Sequence, residues 1–271
     1  MSGGPDVAGL AVAALAAGVA LSLVMGLAFL VQRRTGNSGW IDATWSFGVG
    51  GVGIVAALWP SDGGPWWRQL LVAGLAATWC LRLGLHIAAR SGRAGDDPRY
   101  RNLIEEWGAE APRRLFLFLQ SQAAVGLVLV LAIFLAAHNP APGLRILDIA
   151  GALLTGAAVA LEGLADRQLR NFSRDPANRG AVCDVGLWNW SRHPNYFFEW
   201  LVWVGFALIA IDPGGSALGW LALAAPAAMY WVLVHVSGIP PLEAHMLRTR
   251  GDAYRAYQRR TPAFFPAPPR H

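Results

Sequence analysis

The chain has 271 residues, of which 55% are hydrophobic and only 14% are charged. Soluble domains carry about 25% charged residues, so this composition argues against a soluble enzyme and predicts an all-α, polytopic membrane protein. The net charge of +5 is due to arginine, since the chain has no lysine. Because the arginines stand between apolar stretches, we interpret them as a topology signal and expect no nucleic-acid partner.

A membrane-crossing helix needs about 20 predominantly apolar residues. The sequence predicts seven, near residues 7–31, 40–59, 66–89, 114–137, 146–166, 195–212 and 217–237. Polar loops at 90–113 and 167–194 and a charged tail at 238–271 are each too short to bury a core of their own. We therefore expect a single transmembrane domain over residues 1–271.

The arginines orient this predicted bundle. Nearly all of them fall in loops on one side or in the C-terminal tail, whereas Arg68 and Arg145 fall on the opposite side and Arg82 lies within a span. Positive residues are retained on the cytoplasmic side of a membrane. The pattern predicts an external N-terminus and a cytoplasmic C-terminus, with no obligate protein partner beyond the lipid bilayer.

Several ionisable residues lie inside the predicted spans, where each costs about 2.5–3.5 kcal/mol on insertion scales. They are Asp42, Arg82, His86, Glu162, Asp166, Glu199 and His235. All fall in the predicted cytoplasmic half, and four-residue spacing places several on shared helix faces. The striped sets are Arg82, His86 and Arg90; Glu162, Asp166 and Arg170; and Asn195 with Glu199. Each residue alone could snorkel or pair with a neighbouring helix, but together they predict a polar cavity open to the cytosol.

Gly48, Gly50 and Gly53 have the spacing G-x-G-x-x-G of dinucleotide-binding proteins. This spacing carries that meaning only between a strand and a helix. Inside an apolar span, small residues let helices approach closely, so we interpret the three glycines as packing residues. The cysteines and histidines show no metal-ligand spacing, and we expect no metal.

The loop before the sixth span and the tail carry most of the remaining polar groups. Arginine side chains bind phosphate or carboxylate bidentately, and the loop holds Arg170, Arg174, Arg179 and Arg192. His193-Pro194-Asn195 opens a helix whose first N–H groups are unpaired. Ordinary positive-inside arginines with interfacial aromatics are the alternative. The tail has the polarity of a surface helix pair and could fold over the loop.

The stretch GLWNWSRHPNYFFEWLVWVGFAL, the upstream DPANRG and the tail LEAHMLRTRGDAYRAYQRRTPAFFP resemble a bacterial family of unassigned function. That family is related to the C-terminal region of steroid 5-alpha-reductases, and the resemblance is strongest from Glu162 to Pro266. It implies a multi-pass protein of the bacterial inner membrane with NADPH in a cytosol-facing cavity, covered by the loops and tail. The residues implied to bind the cofactor are Glu162, Asp166, Arg170, Arg174, Arg179, Arg192, His193, Asn195, Tyr196, Glu199, Glu243, His245, Arg248 and Tyr254.

The steroid enzymes polarise the enone carbonyl with a Glu on the second span and a Tyr on the third. This sequence has Asp42 on its second span and no Tyr on its third. We therefore assign the catalytic role to Asp42, Arg82 and His86, which would polarise the acceptor and deliver a proton. The predicted reaction is NADPH-dependent reduction of a lipophilic, steroid- or isoprenoid-like enone or alkene.

The RHPNY element and the tail also resemble membrane methyltransferases, such as the isoprenylcysteine carboxyl methyltransferases, which bind S-adenosylmethionine. In that alternative, Glu199 and Glu243 would bind the ribose or amino group of the cofactor, and the substrate would be a lipid or prenylated molecule. The excess of arginine in the 167–194 loop favours a phosphate-bearing cofactor and hence the reductase. A non-enzymatic lipid-binding or transport protein is the third alternative, but the sequence shows no repeated or broken helices.

Overall fold

The computed structural model describes residues 7–60, 64–94 and 97–270. Over these ranges the chain forms helices and no strand, which confirms the all-α fold class. The helices are α1 (Val7–Thr35), α2 (Gly39–Ala57), α3 (Trp66–Ala94), α4 (Pro98–Trp107), α5 (Ala111–Ala137), α6 (Ile146–Arg174), α7 (Pro194–Ala210), α8 (Ala224–Trp231) and α9 (Ile239–Arg260). Short 3-10 turns lie at Gly108–Glu110, Pro176–Asn178, Gly186–Asn189 and Ala217–Leu223, and a π-helical turn lies at Val232–Val236.

Within the described residues, five helical stretches are long and apolar enough to cross a membrane. They are Val7–Thr35, Trp66–Gly92, Arg99–Ala137, Ile146–Arg174 and Ala217–Arg260, and each contains or overlaps one predicted span. The predicted spans at 40–59 and 195–212 coincide with α2, which has 19 residues, and α7, which has 17. At 1.5 Å per residue, α7 is only about 25 Å long, less than a hydrocarbon core of about 30 Å. The chain is therefore a helical membrane protein, while the seven-span topology stays a prediction.

The chain divides into two compact units. The first comprises Met1–Leu153 and Trp203–Pro226, and the second comprises Leu154–Val202 and Ala227–His271.

Glycines on α2 bring the helices of the first unit together. A Cβ added at Gly48 would lie 2.6 Å from Val24 Cγ1 of α1, and one added at Gly53 would lie 2.6 Å from Ile133 Cδ1 of α5. A Cβ at Gly50 would overlap the side chain of a cysteine on α3. The three glycines thus face three different neighbours, so the G-x-G-x-x-G spacing is a packing pattern, as the sequence predicted.

A buried ion-pair network ties together α3, the segment after α5 and the start of α6 in the first unit. Arg68 and Asp148 are fully buried, with 2.9 Å between Nη2 and Oδ2. Arg68 also donates to the carbonyl oxygens of Asn139, Ala141 and Gly143. Arg145 pairs with Asp148 at 2.6 Å and donates to two carbonyl groups at the end of α7. The two arginines that the sequence placed opposite the others therefore neutralise a carboxylate and cap helix ends.

In the second unit, α6 leads through a loop into α7, and the π-helical turn leads into α9. A Cβ at Gly238 would overlap the carbonyl oxygen of Leu233, so only glycine fits at the end of that turn. α9 is bent at Gly251, whose φ of 52° and ψ of −123° fall in a region that is essentially reserved for glycine. The bend separates α9 into two short helical arms.

Candidate functional site

Two of the predicted polar stripes meet in the second unit. Glu162 and Asp166 of α6 are 3% and 7% exposed, and Glu199 of α7 is 5% exposed. Asn195 Nδ2 donates to Asp166 Oδ1 over 3.4 Å, which joins the polar face of α6 to that of α7. Buried carboxylates are rare unless they have partners, so three of them on these two joined faces mark a candidate binding site. Arg170, the third residue of the α6 stripe, is exposed.

The loop between these helices is anchored on α6. Trp188 Nε1 donates to the carbonyl oxygen of Ala165 over 2.9 Å, and the backbone N–H of Leu187 donates to Gln168 Oε1 over 3.0 Å. The turn needs a positive φ of 58° at Gly186, where a side chain would also overlap the Gln168 amide. This anchoring fixes the approach of the chain to the RHPNY element.

Glu243 of α9 connects the RHPNY element to the tail. Its Oε1 accepts from Arg192 Nε over 2.7 Å and from His193 Nε2 over 3.1 Å, and its Oε2 accepts from Gln258 over 2.8 Å. Arg192 also donates to the carbonyl oxygen of Thr261 over 2.5 Å. Arg192 and Glu243 therefore fasten α9 to the loop, and a cofactor role for either stays a prediction.

His193 is 2% exposed. Burial lowers its pKa, although the contact with Glu243 opposes that shift, so the imidazole is neutral at neutral pH. Because Glu243 accepts from Nε2–H, the Nδ1 atom is the acceptor nitrogen, and it has no hydrogen-bond partner among the described residues. The ring stacks on Tyr196, with 5.6 Å between centroids and 10° between planes.

The tail beyond α9 folds onto the same loop, as the sequence suggested. Ser191 Oγ donates to the carbonyl oxygen of Phe264 over 2.9 Å. The backbone N–H of Arg192 donates to Pro262 O, and that of Ala267 donates to Trp190 O, each over 2.9 Å. The Tyr257 hydroxyl donates to the carbonyl oxygen of Trp188.

Aromatic side chains hold the tail in place. Phe264 and Phe265 pack against the rings of Phe197, Trp200 and Tyr230 at centroid distances of 5.4 to 6.0 Å. Such pairs each contribute about 0.5–1.5 kcal/mol beyond the burial of their area. The start of α7, the tail and the end of α8 thus form one aromatic cluster in the second unit.

A cavity of about 300 Å³ lies where α6 ends. Its lining includes three arginines and one carboxylate, namely Arg174, Arg179, Arg250 and Asp175, and we refer to it as the arginine pocket. The three guanidinium groups make no hydrogen bond or ion pair with the part of the chain that is described. Asp175 Oδ1 accepts from the N–H of Ala177 over 2.9 Å and so shapes the turn. Two of these arginines were predicted from the sequence.

The rest of the predicted cofactor set is spread along α9. Tyr254 is buried, whereas His245 and Arg248 are exposed. The sequence pointed to Arg248 rather than to Arg250, because positive-inside charge gave no means of ranking the arginines of the run RTRG. His235, a predicted span residue, is exposed beside the rings of Tyr230 and Trp231.

The predicted catalytic residues lie in the first unit. Asp42 accepts from Arg99 over 2.5 Å and from the Tyr100 hydroxyl over 2.7 Å, and Tyr100 accepts from Gln122 Nε2 over 3.0 Å. Tyr100 was not predicted as a site residue, since a tyrosine in a polar loop carries no sign that it will be buried. It provides, on α4, a phenol beside the second-span acid.

The other two predicted catalytic residues, Arg82 and His86, are half-buried on α3 and take part in interactions of their own. Asp42 is already bound by a guanidinium and a phenol. Its catalytic role, like theirs, stays a prediction.

Residues 28–261 match the sequence profile of a family described as "Protein of unknown function (DUF1295)". An uncharacterised protein of Schizosaccharomyces pombe is 37% identical over 84 residues, which cover 30% of this chain and 23% of that protein. The chain thus spans about a quarter of the length of this curated relative. No solved structure matches the chain.

Proposed function

The chain belongs to the DUF1295 family, a family related to steroid 5-alpha-reductase-like membrane proteins, and from this premise we propose that it is an integral membrane reductase. It would transfer hydride from NADPH to a lipophilic enone or alkene. The cofactor would bind in the second unit, where 14 predicted cofactor residues, from Glu162 to Tyr254, are placed.

The arginine pocket is the observation that carries this proposal. Its three guanidinium groups, which form no ion pair within the described ranges of the chain, attract a phosphate-bearing ligand strongly, because charge-assisted bonds from arginine are about twice as strong as neutral ones. S-adenosylmethionine has no phosphate, and its single carboxylate is outweighed by its sulfonium and ammonium groups, so it is the poorer match for a cluster of three guanidinium groups. The pocket therefore favours a nicotinamide dinucleotide phosphate.

The residues of the second unit would hold and orient this cofactor. The buried carboxylates and Asn195 offer acceptors and donors for ribose hydroxyls and the carboxamide, and the neutral His193 offers Nδ1 as an acceptor for a hydroxyl or amine. Reduced nicotinamide supplies a hydride, so the reaction also needs a proton donor that polarises the acceptor. In the proposal this role belongs to Asp42, Arg82 and His86, with the Tyr100 hydroxyl hydrogen-bonded to the first of them.

A methyltransferase is the second candidate, and the buried carboxylates Glu162, Asp166 and Glu199 are the observation in its favour. Carboxylates in a buried setting attract a sulfonium or an amino group. S-adenosylmethionine would offer the arginine pocket one carboxylate, whereas NADPH offers three phosphate groups, and for this reason the reductase ranks first.

Thermal unfolding of the detergent-solubilised protein with NADPH, NADH and S-adenosylmethionine tests the proposal. A ligand at a hundred times its dissociation constant stabilises by about 2.7 kcal/mol, so binding is readily measured. We expect NADPH to stabilise the wild type and to stabilise the Asn195→Ala variant less, while Arg259→Gln, a change of an exposed arginine outside the site, behaves as wild type. A shift with S-adenosylmethionine alone would replace the reductase by the methyltransferase, and no shift with any of the three would favour a non-enzymatic protein.

A further inference from the structure

We propose that the arginine pocket binds a terminal phosphate monoester and that Arg250 completes it. The inference deepens the proposed function and rests on it for the identity of the ligand. In a nicotinamide dinucleotide, the group of this chemistry is the 2′-phosphate of the adenosine ribose. The pocket would then set the preference of the protein for NADPH over NADH.

Charge is the first argument. The pocket combines three guanidinium groups with the single carboxylate of Asp175. A phosphate monoester carries about −1.5 to −2 charges at pH 7 and offers three oxygens, whereas each phosphate within a pyrophosphate bridge carries less charge and fewer free oxygens. The excess of positive charge in the pocket therefore matches a monoester better than a bridge.

The convergence of three arginines that form no ion pair with the described residues on one cavity is the second argument. Arg192, Arg255 and Arg260 each bind a carboxylate of the protein at 2.5 to 2.7 Å. The three guanidinium groups of the pocket bind no carboxylate among the described residues. Three guanidinium groups and one carboxylate around one small cavity leave a net positive charge, which attracts an anionic ligand.

The backbone around the pocket is the third argument. Arg250 stands directly before Gly251, whose backbone bends α9, so the side chain is supplied from the end of a helical arm. On the other side, the turn after α6 is shaped by the Asp175 cap and by a φ of 86° at Gly180. Ligand pockets run from about 300 to 1,000 Å³, so a cavity of about 300 Å³ accommodates one end of a ligand rather than a whole dinucleotide.

Dissociation constants of NADPH and NADH for single variants test the assignment. Arg179→Gln and Arg250→Gln should each weaken NADPH binding about tenfold, the loss expected for one charge-assisted bond. NADH, which lacks the 2′-phosphate, should change less than about twofold. The matched control is Arg259→Gln, which removes the same charge from the part of α9 that follows Gly251 and should change neither dissociation constant. Arg179→Lys keeps the charge but loses the two-pronged geometry, so it should fall between wild type and Arg179→Gln.

Two further arms identify the source of the phosphate. Inorganic phosphate should compete with NADPH for wild type and not for Arg250→Gln. Lipid nanodiscs with phosphatidic acid are compared with nanodiscs of phosphatidylcholine alone. Inhibition of NADPH binding by phosphatidic acid, together with equal affinities for NADPH and NADH, would reassign the pocket to a lipid headgroup and overturn its assignment to the cofactor.

The inference and the proposed function can fail separately. If the wild type binds NADPH and NADH equally and the arginine variants alter neither, the pocket assignment is refuted while the reductase proposal stands. If the wild type binds neither nucleotide, the proposed function fails, and inorganic phosphate binding that is lost in Arg250→Gln would still support a phosphate pocket. Ligand-free melting temperatures of all variants equal to that of the wild type exclude misfolding as the cause of any loss.

Discussion

Replacing Arg68 with methionine should destabilise the first unit much more than the same replacement at Arg114. Arg68 has no exposed side-chain area, and its guanidinium group bonds to both oxygens of Asp148 and to three carbonyl oxygens. Arg114 is 53% exposed, and its one ion pair among the described residues is with the exposed Glu110. The two substitutions remove the same charge from very different surroundings.

The expected loss of stability depends on the charge that the substitution leaves buried in the protein. Removing one partner of a buried ion pair costs about 3–5 kcal/mol, because the other charge is left uncompensated. Asp148 keeps its ion pair with Arg145 at 2.6 Å. The free energy of unfolding should therefore fall by about 3 kcal/mol, the low end of that range. An exposed pair contributes about 0–1 kcal/mol, so the Arg114 variant should stay close to wild type.

Unfolding in mixed micelles of a mild detergent and dodecyl sulfate, followed by tryptophan fluorescence, measures both free energies. The Arg68→Lys variant tests geometry, since it keeps a charge but cannot donate to the carboxylate and to the carbonyl groups at once. It should lie between wild type and Arg68→Met. The reasoning is refuted if Arg68→Met unfolds at the same detergent fraction as Arg114→Met.

Three other changes test the packing, the tail and the pH dependence. Gly50→Val should cost about 1–3 kcal/mol through overpacking, whereas Gly51→Val, where the added Cβ meets no atom within 4 Å, should be nearly neutral in the same unfolding assay; equal losses would contradict the packing role. Tyr257→Phe removes the bond to the carbonyl group of Trp188 and should cost about 1 kcal/mol and speed the proteolysis of the tail; unchanged cleavage would argue against the contact. Burial lowers the pKa of His193 below the unfolded value of 6.5, so the unfolded chain binds more protons and stability falls as the pH drops through 6.5. His193→Gln keeps an N–H donor for the carboxylate partner and should make the melting temperature less dependent on pH between about pH 7.5 and about pH 5.5. An unchanged pH dependence would contradict the shift.

The helices could be predicted from the sequence because an apolar run of membrane length has few alternatives. Five of the seven predicted spans correspond to helical stretches of the structure, but α6 continues to Arg174 rather than ending at residue 166, and the predicted loop at 90–113 contains α4. The sequence could not predict in the same way where α2 and α7 begin and end. Glycines in both helices, and Asp42 in the first turn of α2, make these segments less apolar without ending the helix.

Partners could be predicted only where regular spacing determines them. The four-residue spacing of Glu162, Asp166, Asn195 and Glu199 placed them on two helix faces, and the Asn195–Asp166 bond shows that these faces meet. Spacing gave no sign of Arg250, because the bend at Gly251 decides which arginine of the run reaches the pocket.

The protein partners of Arg192 could not be predicted from the sequence, for a related reason. A loop arginine before a helix looks like a ligand clamp, but its partners Glu243 and Thr261 lie about fifty and seventy residues further along the chain. Nothing local in the sequence specifies such a distant pairing. Whether it also contacts a cofactor stays a prediction.

The docking of the tail on the loop has a consequence for the order of biosynthesis. The bonds from Arg192 to Pro262 and from Ala267 to Trp190 join segments that leave the ribosome about seventy residues apart. During that interval α7, α8 and α9 are synthesised, and the RHPNY element at residues 192–196 does not yet have the tail bound to it. A nascent chain that stalls before residue 261 would insert its apolar helices and yet lack the bonds that hold the loop, so the loop can reach its final position only after the tail has been made.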